Sequence, residues 1–160
     1  MSMTRSAGAT VVRAGEGQSV RWGPGGTVRV VASADATDES FSIIESTEPP
    51  GSAAPLHVHH GEAEAFYILD GTIELTCGGQ SLIANAGDFV YTPRDVPHKY
   101  AVVGDRPARV LLIFSRPGFE GFFLEGGSPI DRPPSGPPDM EAFHQLVAKY
   151  DMELLAPPSH

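Results

Sequence analysis

PLHVHHGEAEAFYILDG, residues 55–71, places three histidines and two glutamates within eight residues, His57 to Glu64, before the chain turns abruptly apolar. His57 and His59 are two apart, so on a strand both side chains point to one face. Two imidazoles side by side on an inward face can bind one metal ion. Glu64 lies five residues beyond His59, the wrong parity for a straight strand. The intervening His60-Gly61 is therefore expected to bend or bulge the chain. With that bend, Glu64, Phe66 and Ile68 share the interior face, and Ala65, Tyr67 and Leu69 take the other. Glu64 directly precedes the apolar AFYIL run, which favours a ligand because a buried unpaired charge is costly. His60 and Glu62 are equally good ligand types, but both lie in the bend and are expected to face solvent.

A fourth candidate, His98, follows TPRDVP at the start of a later strand-like run. Two or three histidines with one carboxylate suit Fe, Ni, Mn, Co or Zn. His144 and His160 fall in the C-terminal region, away from this set, and are not expected to be functional.

Around the cluster the chain is a series of short β-branched and apolar runs punctuated by 18 glycines and 15 prolines. TVVR (10–13), SVRW (19–22), TVRVVA (27–32), SFSIIEST (40–47) and AFYIL (65–69) read as strands. Asp70-Gly71 is a hairpin signal leading into TIELTC (72–77), and Gly78-Gly79 another leading into QSLIAN (80–85). FVYT (89–92), HKYAVV (98–103) and ARVLLIFS (108–115) complete nine or ten strands. Such a series predicts an all-β sandwich or barrel. Residues 118–127, GFEGFFLEGG, allow a short helical turn, and SPIDRPPSGPPD (128–139) is too proline-rich for a regular element. Asp139 is a plausible N-cap. Met140, Phe143, Leu146, Val147 and Tyr150 follow at helical spacing, predicting one helix near 140–151 packed outside the β-domain.

These residues carry a resemblance. The spacing Gly51-x5-His57-x-His59-x4-Glu64-x6-Gly71 resembles the first cupin motif at every position, and Gly87-x5-Pro93-x-Asp95-x2-His98 resembles the second. The family has glycine where Asp95 stands and asparagine where Val102 stands. Aspartate tolerates a left-handed turn conformation, so the first departure is benign. The resemblance implies a double-stranded β-helix (jelly-roll, or cupin, barrel) in which His57, His59, Glu64 and His98 hold one divalent transition metal ion. The single motif pair implies a monocupin, often a homodimer. It divides the chain into a flexible N-terminus (1–9), a barrel (10–117) and a C-terminal extension (118–160).

The 160 residues suit one domain, and 41% hydrophobic content supports a globular core. A net charge of −9 argues against nucleic-acid and anionic-membrane partners. The lone Cys77 forms no internal disulfide. No signal-peptide pattern is present, so a cytoplasmic protein is expected. The small-monocupin pattern resembles quercetinase-like cupins, which implies a dioxygenase acting on an aromatic or enolic small molecule, with Glu64 as ligand and general base. Tyr100 shares strand parity with His98 and is a second candidate for proton transfer. Phe66, Ile68, Tyr91 and Tyr100 are candidate pocket lining. A non-oxidative metal-dependent cyclase, isomerase or lyase is the alternative, and a ligand-binding module without turnover the third.

Overall fold

The computed structural model describes residues 8–134 and 136–155. Twelve strands occur in this order: β1 (Ser19–Trp22), β2 (Gly26–Ala32), β3 (Ser42–Glu48), β4 (Ala53–His59), β5 (Glu64–Asp70), β6 (Thr72–Cys77), β7 (Gln80–Asn85), β8 (Phe89–Thr92), β9 (His98–Val102), β10 (Ala108–Phe114), β11 (Ser128–Pro129) and β12 (Met152–Leu154). Helix α1 (Glu120–Gly126) lies between β10 and β11, and α2 (Met140–Lys149) between β11 and β12. All strand pairings are antiparallel. They form two sheets, ordered β11-β1-β2-β3-β10-β5-β8 and β12-β4-β9-β6-β7. The strand spacing predicts a sandwich or barrel, and the resemblance implies a jelly roll; the structure has that form, with two sheets face to face over a shared core.

The alternation of each strand places its apolar set inward. In β5, Glu64, Phe66 and Ile68 are buried and Tyr67 is exposed, as the parity argument requires, but Ala65 on the other face is buried too and Leu69 is half-buried. Ile44, Phe66, Ile68, Ile73 and Leu75 are fully enclosed and anchor the core. Asp70-Gly71 makes the tight β5–β6 turn. Gly71 has φ +78°, and a β-carbon added there would meet the backbone of Pro107 and Ala108.

Two expectations need correction. Residues 10–13, TVVR, form no strand, and Val11 is exposed. Their β-branched composition lacks a neighbouring edge to pair with, and β-propensity expresses itself only against partners. The extension after residue 117 is not merely external. Its last strand, β12, pairs with β4 at His57, Val58 and His59, and so belongs to the barrel sheet. Residues 128–134 and 136–139 hold no helix and no strand beyond the two-residue pairing of β11 with β1, and the chain turns directly after it at residues 130–131. Helix α2 is capped as expected, with the Asp139 carboxylate accepting from the Ala142 amide at 3.0 Å. Val147 on its apolar stripe is buried, but Met140 at its start is exposed. The expectation of a flexible residues 1–9 falls largely outside the described residues, as does His160.

Candidate metal centre and cavity

Three ligand candidates sit on one sheet and the fourth on the other. His57 and His59 are on β4, and His98 pairs directly with His57 across β4 and β9. Glu64 opens β5 in the opposite sheet, where it pairs with Thr92 and Phe114. The chain passes between the sheets through the bend at His60-Gly61. A register shift in β4 between Ala54 and His57 brings Pro55 into the strand, where its missing N–H costs no ladder bond.

The four side chains are buried and converge. One ligand atom from each lies within 4.8 Å of those of the other three. Atoms bound to a shared ion at about 2.0–2.2 Å would stand roughly 3–4 Å apart, so a small closure around the ion suffices. Second partners set the imidazole tautomers. His57 Nδ1 donates to the Pro55 carbonyl at 2.7 Å, His59 Nδ1 to Glu62 Oε1 at 2.8 Å, and His98 Nδ1 to the Val96 carbonyl at 3.2 Å. Each ring therefore turns Nε2 toward Glu64 as the ligand atom. Glu64 Oε2 lies 3.0 Å from His59 Nε2 and 2.9 Å from His98 Nε2. The His59 nitrogen is not aligned to bond it and is buried without a hydrogen-bond partner. Neutral imidazole lone pairs crowded on a carboxylate repel one another unless a cation or a proton lies between them. The residues thus fit a divalent metal ion.

The protonation pattern of the metal-free cluster follows from the same contacts. Burial depresses His57 to about 4, only partly countered by Glu64. Burial opposes charge on His59 too, but Glu62 and Glu64 beside it outweigh the penalty and raise it to about 9. Burial alone would raise the Glu64 carboxyl, yet His59 and His98 hold it well below the usual carboxylate range.

Glu62 was expected to face solvent and does not. It is fully buried, and its Oε1 receives the His59 Nδ1 hydrogen bond, while Arg116 Nη1 stands 3.8 Å from Oε2. Sequence parity could not show this, because Arg116 and the turn after α2 that cover the bend come from the far end of the chain. A carboxylate three residues after a ligating histidine was the available signal. His60 does face outward, paired with Asp95 at 2.7 Å and Glu153 at 3.2 Å. Asp95 has φ +66°, the left-handed conformation its glycine counterpart would occupy. Val102, where the family has asparagine, is buried and pairs with Ile73. His144 is exposed on α2.

Beside the cluster opens a cavity of about 380 Å³. Its walls include His57, His59, Glu64, Tyr100, Phe114 and residues of both helices. Phe114 and Phe119 stack with centroids 4.2 Å apart, and each approaches His59, at 5.9 and 5.3 Å. Trp22 packs on Phe122 and Phe123 at 5.2 and 4.8 Å. Of the expected lining residues, Tyr100 is on the cavity wall. Phe66 and Ile68 are core residues instead, with the Phe66 ring 6.3 Å from His98 and 5.6 Å from Tyr100. Tyr91 is exposed, because Thr92 rather than Tyr91 shares the inward face with Glu64. Of the two places the sequence leaves open for Trp22 and the FEGFF aromatics, under the barrel or at its mouth, the structure puts them on the cavity wall, with Phe143, Val147, Met152 and Leu154 beyond. Tyr100 donates its hydroxyl proton to Glu48 Oε1 at 2.6 Å. Burial and the negative charge of Glu48 push the phenol well above its ordinary value.

Residues 44–114 match the family model of the cupin domain. They are a cupin domain. The chain is 29% identical over 150 residues to quercetin 2,3-dioxygenase of Bacillus subtilis, a match covering 91% of this chain and 44% of that protein. The cupin also resembles a predicted oxalate decarboxylase from Thermotoga maritima, at 27% identity and TM-score 0.56, over 67% of this chain and 99% of that one. KdgF from Halomonas shares the fold at TM-score 0.62 and 16% identity, over 72% of this chain and 99% of that one. The chain spans about half the length, or less, of the curated relatives it matches. No helix among the described residues is long and apolar enough to cross a membrane.

Proposed function

We propose that this cupin is a metal-dependent dioxygenase of the quercetinase-like kind, acting on an enolic or phenolic aromatic small molecule. The observation that carries the reading is that His57, His59 and Glu64 of the four-residue cluster open into a cavity walled by Phe114, Phe119, Phe122, Phe123 and Trp22. The 29% identity to a quercetin dioxygenase over most of the chain supports it. His57, His59, His98 and Glu64 would hold one divalent ion of the Fe, Ni, Mn, Co or Zn group. That ion would supply a Lewis acid for an enolic oxygen and open coordination positions for reactants.

The chain's own residues do the rest. The stacked phenyl rings offer flat faces that orient a planar substrate and exclude water. Glu64 is buried where cluster and cavity meet and accepts the enolic proton. Tyr100 is already committed as a donor to Glu48, which suits it to binding rather than to proton transfer.

The test is flavonol turnover by metal-loaded protein, with and without oxygen, alongside metal analysis of untagged protein. The dioxygenase reading expects one ion per chain and oxygen uptake stoichiometric with flavonol loss. Turnover persisting under anaerobic conditions overturns it in favour of a cyclase or isomerase on the same site.

A further inference from the structure

The cavity carries one polar pair outside the ligand cluster whose chemistry restricts what can bind. Tyr100 on β9 and Glu48 at the end of β3 both line it. Tyr100 donates to Glu48 Oε1 at 2.6 Å, and Ser46 donates to the same oxygen at 2.7 Å. Both hydroxyl protons are therefore spent on the carboxylate. What remains for a ligand is the lone pairs of the Tyr100 oxygen and Glu48 Oε2, which has no protein partner among the described residues. A carboxylate is acceptor-only when ionised, and a hydroxyl whose proton is committed behaves the same way. This part of the wall can accept hydrogen bonds but not give them.

The charge of the cavity points the same way. Among the described residues that line it, none is Lys or Arg, while Glu48 and Glu64 are both present. An anionic substrate would meet two carboxylates and no side-chain counter-charge other than the cluster itself. Desolvating an anion against the acceptor-only Glu48–Tyr100 pair is costly, because neither partner supplies a proton. A neutral ligand bearing a hydroxyl donor meets the opposite situation. Its proton fills the vacant lone pairs, and a bond to a charged acceptor is among the stronger ones.

We infer that Glu48 and Tyr100 form a hydroxyl-recognition subsite that selects neutral, ring-hydroxylated aromatic substrates and rejects small carboxylates such as oxalate. This rests on the proposed aromatic-substrate reading and specifies it. Glu48 is the specificity-determining residue and Tyr100 the group it orients. Tyr100 Oη offers its lone pairs in a fixed direction only while Glu48 holds its proton.

Trp22 is the single tryptophan and lies on the cavity wall, so its fluorescence reports occupancy directly. Metal-loaded wild-type protein, Glu48→Leu and Tyr100→Phe are titrated with 3-hydroxyflavone, with its 5,7,4′-trihydroxy derivative and with oxalate. The subsite requires the wild type to prefer the ring-hydroxylated flavonol by about tenfold or more. It requires that ratio to fall toward one in Glu48→Leu and part of the way in Tyr100→Phe, where Glu48 still accepts, and oxalate not to displace the flavonol at millimolar concentration. Because the readout is a ratio within one protein, a variant with a smaller folded fraction still gives an answer. A ratio near one in the wild type, a ratio unchanged in the variants, oxalate displacement, or no flavonol binding each overturns the proposal. Anaerobic turnover or absent oxygen uptake with the preference intact sinks the dioxygenase reading and leaves the subsite standing.

Discussion

Replacing Glu62 with glutamine separates two opposing effects of one buried carboxylate. The residue is fully buried, and its Oε1 sits 2.8 Å from His59 Nδ1. The amide of Glu62→Gln can still accept that bond, but as a neutral partner the bond is roughly half as strong. Removing an outer partner of a ligating histidine costs about 10–100-fold in metal affinity, or about 1.4–2.7 kcal/mol. The opposing effect is proton competition. With His59 at about 9 in the metal-free protein, an ion binding at pH 7 must displace a proton held about two pH units above ambient, a penalty of about 2.7 kcal/mol. Losing the Glu62 charge lowers His59 and relieves part of that penalty. The two terms are comparable at pH 7, and only the affinity loss remains near pH 9.

The assay is cobalt(II) binding by chelator competition from pH 7 to 9, with proton release read by calorimetry in buffers of different ionisation enthalpy. In the wild type His59 contributes about 0.9 proton at pH 8 and about half a proton at pH 9. In Glu62→Gln less is released at pH 8, and affinity near pH 9 is about tenfold weaker, with a smaller gap at pH 7. Unchanged proton release and unchanged affinity at both ends of the range would refute the role assigned to Glu62. The same shift sets a stability signature in the metal-free protein. The raised His59 contributes stability fully below pH 6.5 and loses it as pH rises through about 9. The depressed His57 does the reverse: its contribution is present above pH 6.5 and is lost as pH falls toward about 4.

Three further outcomes follow from the packing. Gly127→Ala would set a methyl 2.6 Å from Val20 Cγ2 and 2.8 Å from the Arg21 carbonyl, so overpacking of about 1–3 kcal/mol should lower the melting temperature by several degrees; an unchanged melting curve would show that β1 yields freely. Asp95→Ala should be less stable than Asp95→Gly by about 1 kcal/mol in urea titrations, because alanine keeps the left-handed strain at φ +66° and glycine removes it; equal midpoints would remove that account. Stripping bound metal from the purified protein should lower its melting temperature, since the ligands join the two sheets, and His98→Ala should abolish that metal dependence while leaving a folded barrel by circular dichroism.

The ligand set was legible in the chain itself. His57, His59 and Glu64 are separated from His60 by strand parity and one bend, both local properties of the backbone, and His98 stands at a fixed offset in a second local motif. Most barrel strands were legible for the same reason: alternation and Gly- or Pro-bearing turns are short-range signals, and β6, β7 and β8 begin and end where those signals place them. Whatever depended on distant chain segments meeting was not. TVVR has strand composition but no partner. Tyr91 and Glu62 changed places in expectation: the residue read as pocket lining points to solvent, and the one read as a solvent-facing spectator is buried against a ligand. The register of β8 on β5 decides the first, and Arg116 closing over the bend decides the second.

The cavity is the largest such case. Its walls combine Trp22 from β1, Glu48 from β3, Tyr100 from β9 and the phenylalanines of α1. Its far side is completed by α2 and a three-residue strand too short to have a pattern of its own. The sequence by itself marked which residues are candidates to hold a metal: strand parity pairs His57 with His59, and the resemblance joins Glu64 and His98 to them. Tertiary structure decided which protons those ligands carry and what lies beside them. Burial, tautomer and cavity shape are set by contacts between segments that share no local period.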